Sequence, residues 1–209
     1  MKILVTGFNP FGGEAINPSF EAVKLLPGNI CGAEIIKVEI PTVCRKATEV
    51  VLQKIEECQP TAVISVGQAG GAKAIRVERV AVNLDDYRIP DNEGNQPVDM
   101  PIYADGPNAY FSTLPIKAIR DAISENGISA EISNSAGLFV CNHVFYSIRH
   151  LCETQYRDMG IISGFIHVPF IPEQTKDKPD EPSMSLDNIS EALETAIKVV
   201  ADELTNRRR

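Results

Sequence analysis

The chain has 209 residues, of which 44% are hydrophobic, and this is enough to bury one sizeable core in a single domain spanning residues 1–209. Its 20 basic and 28 acidic side chains give a net charge of −8 and a pI near 5.0, which argues against a nucleic-acid-binding surface. The basic cluster Arg207-Arg208-Arg209 is interpreted as a solvated tail after a helix.

The beginning of the chain and its cysteines both indicate a reducing, cytoplasmic environment. Met1-Lys2 leads directly into a short apolar run, and no segment has the length of a membrane span. The five cysteines are odd in number and lack metal-type CxxC spacing, so we expect reduced thiols and neither a disulfide framework nor a metal site. Four of them are interpreted as packing or incidental residues: Cys31, Cys44, Cys58 and Cys152.

Strand and helix patterns alternate along the chain. The predicted strands are Ile3–Thr6, Ala33–Ile40, Ala62–Val66, Ile75–Leu84, Ala130–Ser133 and Ile161–His167. The predicted helices are Pro18–Leu26, Arg45–Cys58, Ile116–Asn126, Asn142–Glu153 and Asn188–Asn206. Because several strands are apolar on both faces, this alternation predicts an α/β/α sandwich with an open, twisted, mixed but mostly parallel sheet, of the phosphorylase or hydrolase type.

Two long segments have no helical or strand pattern. Residues Asp85 to Leu114 are rich in turn-forming residues, and a proline-rich segment runs from Pro169 to Pro182. Long irregular segments in compact domains tend to be functional. We therefore expect the first segment to form part of a site wall or a subunit contact.

Cys141 is the candidate nucleophile because small and apolar residues place it at the predicted start of a helix. Unpaired N–H groups and the positive end of the helix dipole favour a thiolate there, and the same amides are suited to binding an oxyanion. A cysteine nucleophile also needs a base. His143 and His150 follow on the same helix at positions turned about 180–200° away from Cys141, so neither can readily reach the sulfur. His167 closes a buried strand, at the end where α/β sheets place their catalytic groups.

Glu78 is the candidate third member. The alternation from Ile75 to Leu84 predicts that Glu78 shares an apolar face with Val80, Val82 and Leu84, so its carboxylate needs a partner. That partner is either Arg76, two residues away on the same face, or the imidazole of His167, which a carboxylate would orient. The pattern alone does not choose between them.

Several separated motifs occur in an order that resembles the pyrrolidone-carboxylate peptidases, also called pyroglutamyl peptidase I, a family of cytosolic cysteine peptidases. The resemblance runs nearly the full length and rests on Thr6–Gly13, Gly67–Gly71, Val77–Asn83, Arg88–Asn92, Ser112–Pro115, Val140–His143 and Phe165–Pro169. It implies a homotetramer, no metal or organic cofactor, and release of N-terminal pyroglutamate from peptides through a thioester acyl-enzyme.

The resemblance also assigns roles to individual residues. It implies a catalytic triad of Glu78, Cys141 and His167, and it places Arg88 near the reacting carbonyl, where a positive charge stabilises an oxyanion. It further implies that a set of residues shapes or borders the pyroglutamyl pocket: Phe8, Phe11, Asn17, Thr42, Gln68, Ile89, Phe139 and Val140.

Two positions depart from the family pattern, and two other classes of function compete with the peptidase. Leu138 stands where a small hydroxyl residue is usual, and Ala72 replaces an arginine. The glycine-rich segment Gly67–Gly71 would also suit a nucleoside-phosphorylase-like enzyme, although it lacks the Lys-Ser/Thr of a P-loop. Such an enzyme predicts phosphate dependence and indifference to thiol alkylation. If Leu138 disables the site, the chain would be a binding module without turnover.

Overall fold

The computed structural model describes residues 1–207, so Arg208 and Arg209 of the basic cluster lie outside the described residues. Its strands are β1 (Lys2–Phe8), β2 (Asn29–Ile30), β3 (Ala33–Ile40), β4 (Ala62–Gln68), β5 (Ile75–Glu78), β6 (Val80–Val82), β7 (Ala109–Phe111), β8 (Ala130–Ser133) and β9 (Ile162–Val168). Its α-helices are α1 (Pro18–Leu25), α2 (Lys46–Cys58), α3 (Ile116–Glu125), α4 (Val140–Glu153) and α5 (Leu186–Arg207).

Seven strands form the central sheet in the order β2-β3-β1-β4-β9-β5-β8. The β3-β1-β4-β9 run and the β5-β8 pair are parallel, whereas β5 runs antiparallel to β9 and β2 antiparallel to β3. Strands β1, β4 and β9 are buried along nearly their whole length, as expected for strands covered on both faces. The predicted mixed, mostly parallel α/β sheet is confirmed.

Helices cover both faces of this sheet through apolar stripes. On one face α1, α3 and α5 pack into a single apolar cluster, to which α5 contributes Ile189, Leu193 and Ile197 at a spacing of four residues. On the other face α2 and α4 form a second cluster with the sheet, and Val51 and Ile55 of α2 lie in it. The four-residue spacing places these side chains on one side of each helix, which is the side buried against the strands.

The predicted strand Ile75–Leu84 is in fact two strands that separate at Arg79. The Arg79 N–H donates to the Ser133 carbonyl, while the Arg79 carbonyl accepts from the Ser112 N–H, so the chain leaves the main sheet there. Strand β6 then pairs with β7 in a separate two-stranded sheet. The predicted common face of Glu78, Val80 and Val82 is therefore wrong, because Val80 and Val82 are only half-buried while Ala81 between them is buried.

The segment from Asp85 to Leu114 is more structured than its composition indicates. It contains β7, an isolated bridge between Asp85 and Met100, and a turn held by the Asp91 carboxylate. The proline-rich segment contains the 3₁₀ turn Pro172–Gln174, and Gln174 is buried. Helix α5 continues to Arg207, so the first arginine of the basic cluster is helical and contacts Glu203. Among residues 1–207, none of the helices combines the length and apolar character needed to cross a bilayer.

Candidate active site

A cavity of about 340 Å³ lies at the carboxyl ends of β1, β4 and β9. Phe8 ends β1, Gln68 ends β4, and His167 is the penultimate residue of β9, so three strands deliver side chains to its wall. The amino end of α4 meets the same cavity through Cys141. This edge of the sheet is where open α/β folds place their ligands.

His167 and Glu78 come together through the antiparallel pairing of β9 with β5. Arg76 lies opposite His167 in the register, which puts Glu78 diagonally across from the ring on the same face. A Glu78 carboxylate oxygen, Oε1, lies 2.8 Å from His167 Nδ1. Both residues are buried, at 1% and 5% exposure, so this contact is shielded from water. The second oxygen, Oε2, has no hydrogen-bond partner within the described chain.

The Cys141 thiol lies beside the imidazole of His167. Since Nδ1 faces Glu78, Nε2 is the nitrogen left for the sulfur. Burial disfavours the charged ring, but the neighbouring Cys141 sulfur and Glu78 carboxylate outweigh it and raise the pKa of His167 to about 9. These two neighbours therefore favour the charged form of the ring, which is the form found in a thiolate–imidazolium pair.

The main chain holds Cys141 from two sides. Cys141 is the second residue of α4, and the helix starts after Phe139, whose side chain provides no cap. The N–H groups of Val140, Cys141 and Asn142 therefore have no acceptor within the helix. On the other side, Gly67 of β4 lies so close that a Cβ atom there would be 2.8 Å from the Cys141 Sγ. Glycine at this position makes room for the sulfur.

Aromatic rings and a few polar side chains form the rest of the wall. Phe11 and Phe139 have ring centroids 5.9 Å apart, and Tyr87 packs edge-on against Phe139 from outside the cavity at 4.7 Å. Phe8 is 2% exposed and contacts Phe165. The wall thus includes the aromatic rings of Phe8, Phe11 and Phe139, which suit a compact uncharged ligand.

The polar members of the wall are positioned by their own hydrogen bonds. Asn17 caps α1 by accepting from Ser19, and its amide donates to the Asn9 carbonyl. The Thr42 hydroxyl donates to the same carbonyl. Gln68 accepts from the amide of buried Gln174, 2.8 Å away, so the proline-rich segment supports the pocket from behind.

The structure does not bring all of the expected residues to the cavity. Arg88 and Ile89 are exposed on the loop that follows the buried Tyr87, and Val140 faces the core with no exposed surface. None of these three residues lines the cavity. Their roles in transition-state support and substrate binding stay predictions.

Five residues of the cavity wall were not identified as site residues from the sequence: Ala69, Arg76, Ser135, Ala136 and Gly137. Ser135, Ala136 and Gly137 belong to the run that delivers Cys141, and that adjacency is the signal that could have found them. Arg76 was considered only as a partner for Glu78. Its side chain instead pairs with Glu131 at 2.8 Å, which leaves His167 as the partner of the Glu78 carboxylate.

Neither of the other histidines contacts Cys141. The His150 ring contacts the Tyr110 hydroxyl at 3.0 Å and packs at a tilt against Tyr103, with ring centroids 4.2 Å apart. His143 lies 2.7 Å from an Asp85 carboxylate oxygen, and the Cys44 sulfur is 3.7 Å from the same ring nitrogen. Burial opposes the charge on His143, but Asp85 and Cys44 prevail and raise its pKa to about 9.

This second cluster has the composition of a cysteine-peptidase triad but not its connectivity. Cys44 and Asp85 both face Nδ1 of His143. A base that relays a proton between nucleophile and substrate needs the carboxylate on one ring nitrogen and the nucleophile on the other. The Glu78, His167 and Cys141 cluster meets that requirement, and the Cys44, Asp85 and His143 cluster does not.

The sequence is similar to a defined family and to well-characterised relatives. A family model described as pyroglutamyl peptidase matches residues 1–203. A pyrrolidone-carboxylate peptidase from Clostridium perfringens is 57% identical over 200 residues, covering 96% of this chain and 93% of the relative. One from Fusobacterium nucleatum is 58% identical over 199 residues, covering 95% and 92%.

Solved structures agree with the sequence matches. The crystal structure of pyroglutamyl peptidase I from Bacillus amyloliquefaciens superimposes with a TM-score of 0.92 at 49% identity, covering 96% of this chain and 94% of that one. A mutant pyrrolidone carboxyl peptidase from the hyperthermophile Pyrococcus furiosus also gives a TM-score of 0.92 at 49% identity, covering 98% and 100%.

Proposed function

Because the chain belongs to the pyroglutamyl peptidase family, whose members are cysteine-type hydrolases, we propose that it hydrolyses the peptide bond after an N-terminal pyroglutamyl residue. Cys141 is the nucleophile, His167 the general acid and base, and Glu78 the residue that orients the ring. One observation carries these assignments: the buried 2.8 Å contact between His167 and Glu78 leaves the other side of the ring to a cysteine at a helix start.

Acylation begins from the thiolate–imidazolium pair. The Cys141 sulfur attacks the carbonyl carbon that joins pyroglutamate to the next residue. The free N–H groups at the start of α4 are suited to stabilising the oxyanion that develops. His167 gives its proton to the departing amine, so the C–N bond breaks and a thioester remains. Glu78 stabilises the cationic ring throughout and keeps its tautomer fixed.

Deacylation reverses the role of the ring. Neutral His167 takes a proton from a water molecule, which attacks the thioester carbonyl and releases free pyroglutamate. The Cys141 thiolate is the leaving group, and the proton stays on the imidazolium. The starting ion pair is therefore restored without an external proton.

The pocket matches the chemistry of a lactam. Pyroglutamate is a flat, uncharged ring with one N–H donor and one C=O acceptor. Phe8, Phe11 and Phe139 supply apolar surface, while Gln68 and Thr42 supply hydrogen-bonding groups at the rim. Such a site rejects a ring that lacks the lactam oxygen, because a polar group of the pocket is then left unpaired.

We also propose an oligomeric state and a cellular compartment for this protein. The resemblance to the family implies a cytoplasmic homotetramer. Large apolar side chains on the surface of the single chain support assembly, since Phe111 is 68% exposed, Val98 65% and Met100 54%. Sedimentation equilibrium should give four times the mass of one chain, and a monomer would refute this part.

Hydrolysis of matched chromogenic amides tests the proposed function. We expect kcat/KM for a pyroglutamyl amide to exceed that for the prolyl amide by at least roughly 10³-fold. Proline has the same ring size but lacks the lactam oxygen and buries a protonated nitrogen among aromatic rings. Iodoacetamide should abolish the activity. Comparable rates on both amides would refute the lactam pocket, and phosphate-dependent turnover that survives alkylation would favour a phosphorylase.

A further inference from the structure

The cluster of Cys44, Asp85 and His143 lies outside the peptidase mechanism and brings three different metal-ligating groups together. Cys44 precedes α2, Asp85 follows β6, and His143 is in α4. One ligand atom from each residue lies within 4.8 Å of the other two. Asp85 is 4% exposed and His143 is also 4% exposed, so two of the three groups are fixed in the interior.

Two of the three distances in the cluster already match those between ligands of one metal ion. The Cys44 Sγ is 3.7 Å from His143 Nδ1 and 3.9 Å from Asp85 Oδ2. Tetrahedral Zn²⁺ with bonds of about 2.3 Å to sulfur and about 2.1 Å to nitrogen and oxygen places sulfur about 3.6 Å from the other two ligands. Only the Nδ1 to Oδ2 distance, now 2.7 Å, has to open, to about 3.4 Å.

A second observation points to a ligand at this place. The other Asp85 oxygen, Oδ1, is buried and has no hydrogen-bond partner among residues 1–207. The nearby Tyr87 hydroxyl is likewise buried without a partner. A buried carboxylate oxygen without a partner is costly, and the charge of a cation bound beside it through Oδ2 would offset that cost.

The cluster can be reached from solvent. Cys44 is half-buried and lines a surface cavity of about 420 Å³ together with Asn95 and Gln96. His143 lines a separate cavity of about 260 Å³ from the other side. A small hydrated cation therefore has an entry path to the sulfur and room to keep a water molecule as its fourth ligand.

We propose that Cys44, Asp85 and His143 form a binding site for a thiophilic divalent cation of the Zn²⁺ type. The donor set of one thiolate, one imidazole and one carboxylate is suited to Zn²⁺, whereas Mg²⁺ and Ca²⁺ prefer oxygen ligands alone. On binding, the Cys44 thiol and Nδ1 of the protonated His143 ring each give up a proton to solvent, and the ring keeps one proton on Nε2 while Nδ1 binds the metal. The thiolate and carboxylate charges balance the cation.

The site would connect three elements near the peptidase pocket without taking part in the reaction. The Cys44 N–H donates to Asp91, which shapes the loop after Tyr87. The Asp86 N–H donates to the Leu138 carbonyl, next to the wall residue Phe139. A bound cation would fasten these segments to α4, so its expected effect is on stability rather than on chemistry.

The test uses the full chain carrying Cys141→Ser, so that the catalytic thiol is not a ligand. Calorimetric titration with Zn²⁺ should give one cation per chain, and Co²⁺ should give the near-ultraviolet charge-transfer band of a cobalt–thiolate bond. Adding Cys44→Ser should remove the band and weaken Zn²⁺ binding by more than the roughly 10- to 100-fold that loss of an outer partner costs. Zn²⁺ should also protect Cys44, but not Cys31, from alkylation.

Cys58→Ser in the same background is the matched control, because Cys58 is also half-buried but lies at the end of α2 away from a carboxylate–histidine pair. It should keep both the cobalt band and the Zn²⁺ affinity. Alkylation protection is read from the Cys141→Ser chain alone, so the proposal stays testable if the Cys44→Ser chain folds poorly. Absence of stoichiometric binding, or binding and a cobalt band that persist without Cys44, would overturn the proposal.

Discussion

Two clusters in this chain combine a cysteine, a histidine and a carboxylate, and they use the imidazole differently. In the cavity, Glu78 faces Nδ1 of His167 and Cys141 lies beside the ring at the start of α4. In the interior between α2 and α4, Cys44 and Asp85 share Nδ1 of His143. The first arrangement leaves Nε2 free to exchange a proton with the sulfur and the substrate while the carboxylate holds Nδ1. The second converges on one point, which is the geometry of a ligand site. Composition alone therefore does not identify a triad.

The surroundings of the two sulfurs differ as much as the rings do. Cys141 has free amides of a helix start beside it and a glycine main chain behind it. Cys44 lies in a turn before α2, next to Arg45 in a positive-φ conformation. A helix start stabilises charge on sulfur and on an oxyanion together. We expect nucleophilic catalysis only at Cys141.

The largest expected difference is between alanine substitutions at the two sulfurs. Cys141→Ala should lower kcat for a pyroglutamyl amide by at least roughly 10⁴-fold, because the covalent path is lost. Cys44→Ala should keep kcat within a few-fold of the parent. Circular dichroism checks that both variants are folded. A Cys44→Ala variant as inactive as Cys141→Ala would reverse the assignment of the two clusters.

Substitutions at the two carboxylates should also have different consequences, although the effect on kcat is smaller than at the sulfurs. Glu78→Gln should lower kcat by roughly 10²- to 10⁴-fold with little change in KM, since the amide no longer stabilises the imidazolium. Asp85→Asn should mainly lower the free energy of unfolding, by about 1–3 kcal/mol. Steady-state kinetics and urea unfolding on both variants distinguish the roles. Normal turnover by the Glu78→Gln variant would contradict a role for Glu78 in the mechanism.

Gly67→Ala tests how closely the main chain of β4 holds the Cys141 sulfur in place. The new Cβ would be 2.8 Å from the Cys141 Sγ and equally close to the Phe165 ring, so the nucleophile must shift. We expect a loss in kcat on the order of 10²-fold. Gly164→Ala is the matched control on β9, because its Cβ would crowd the side chains of Ser112 and Leu114 instead of Cys141. It should destabilise by about 1–3 kcal/mol while kcat is retained.

The smallest expected effect is a pH dependence of stability that belongs to the Asp85 and His143 pair. The folded-state pKa of His143 is raised from 6.5 to about 9, so proton binding stabilises the folded chain. This contribution is complete below about pH 6.5 and is lost as the pH rises through about 9. The stability gap between the parent and Asp85→Asn should therefore narrow as the pH rises over that range. A gap that stays constant from pH 6 to 10 would contradict the prediction.

The alternating pattern of strands and helices was enough to predict the α/β sheet, because buried strands and amphipathic helices are local features. It could not place the break at Arg79 or strand β7, since both depend on pairing with distant residues. The antiparallel register of β5 on β9, which resolves the choice between Arg76 and His167 for Glu78, is also invisible in a single strand.

Features of the site could likewise be predicted from the sequence only where the signal is local. The positions of Cys141 at a helix start and of His167 near a strand end were predictable because both features are local. Cys44, interpreted from sequence as incidental, lies in a cluster whose members are 41 and 58 residues apart, so no spacing motif marks it. Arg88 and Ile89 were assigned by resemblance, whereas in the single chain they extend into solvent after Tyr87.

The position of β9 has a consequence for the newly made chain. This strand carries His167 and lies between β4 and β5, although it is formed by residues 162–168, late in the sequence. Until it is synthesised and inserted, β4 and β5 have no common neighbour, and Glu78 has no imidazole to orient. Long-range pairing of this kind is completed late in folding. A ribosome-bound fragment ending before β9 would therefore carry the proposed nucleophile without the proposed base, and we expect peptidase activity to begin only when β9 has joined the sheet.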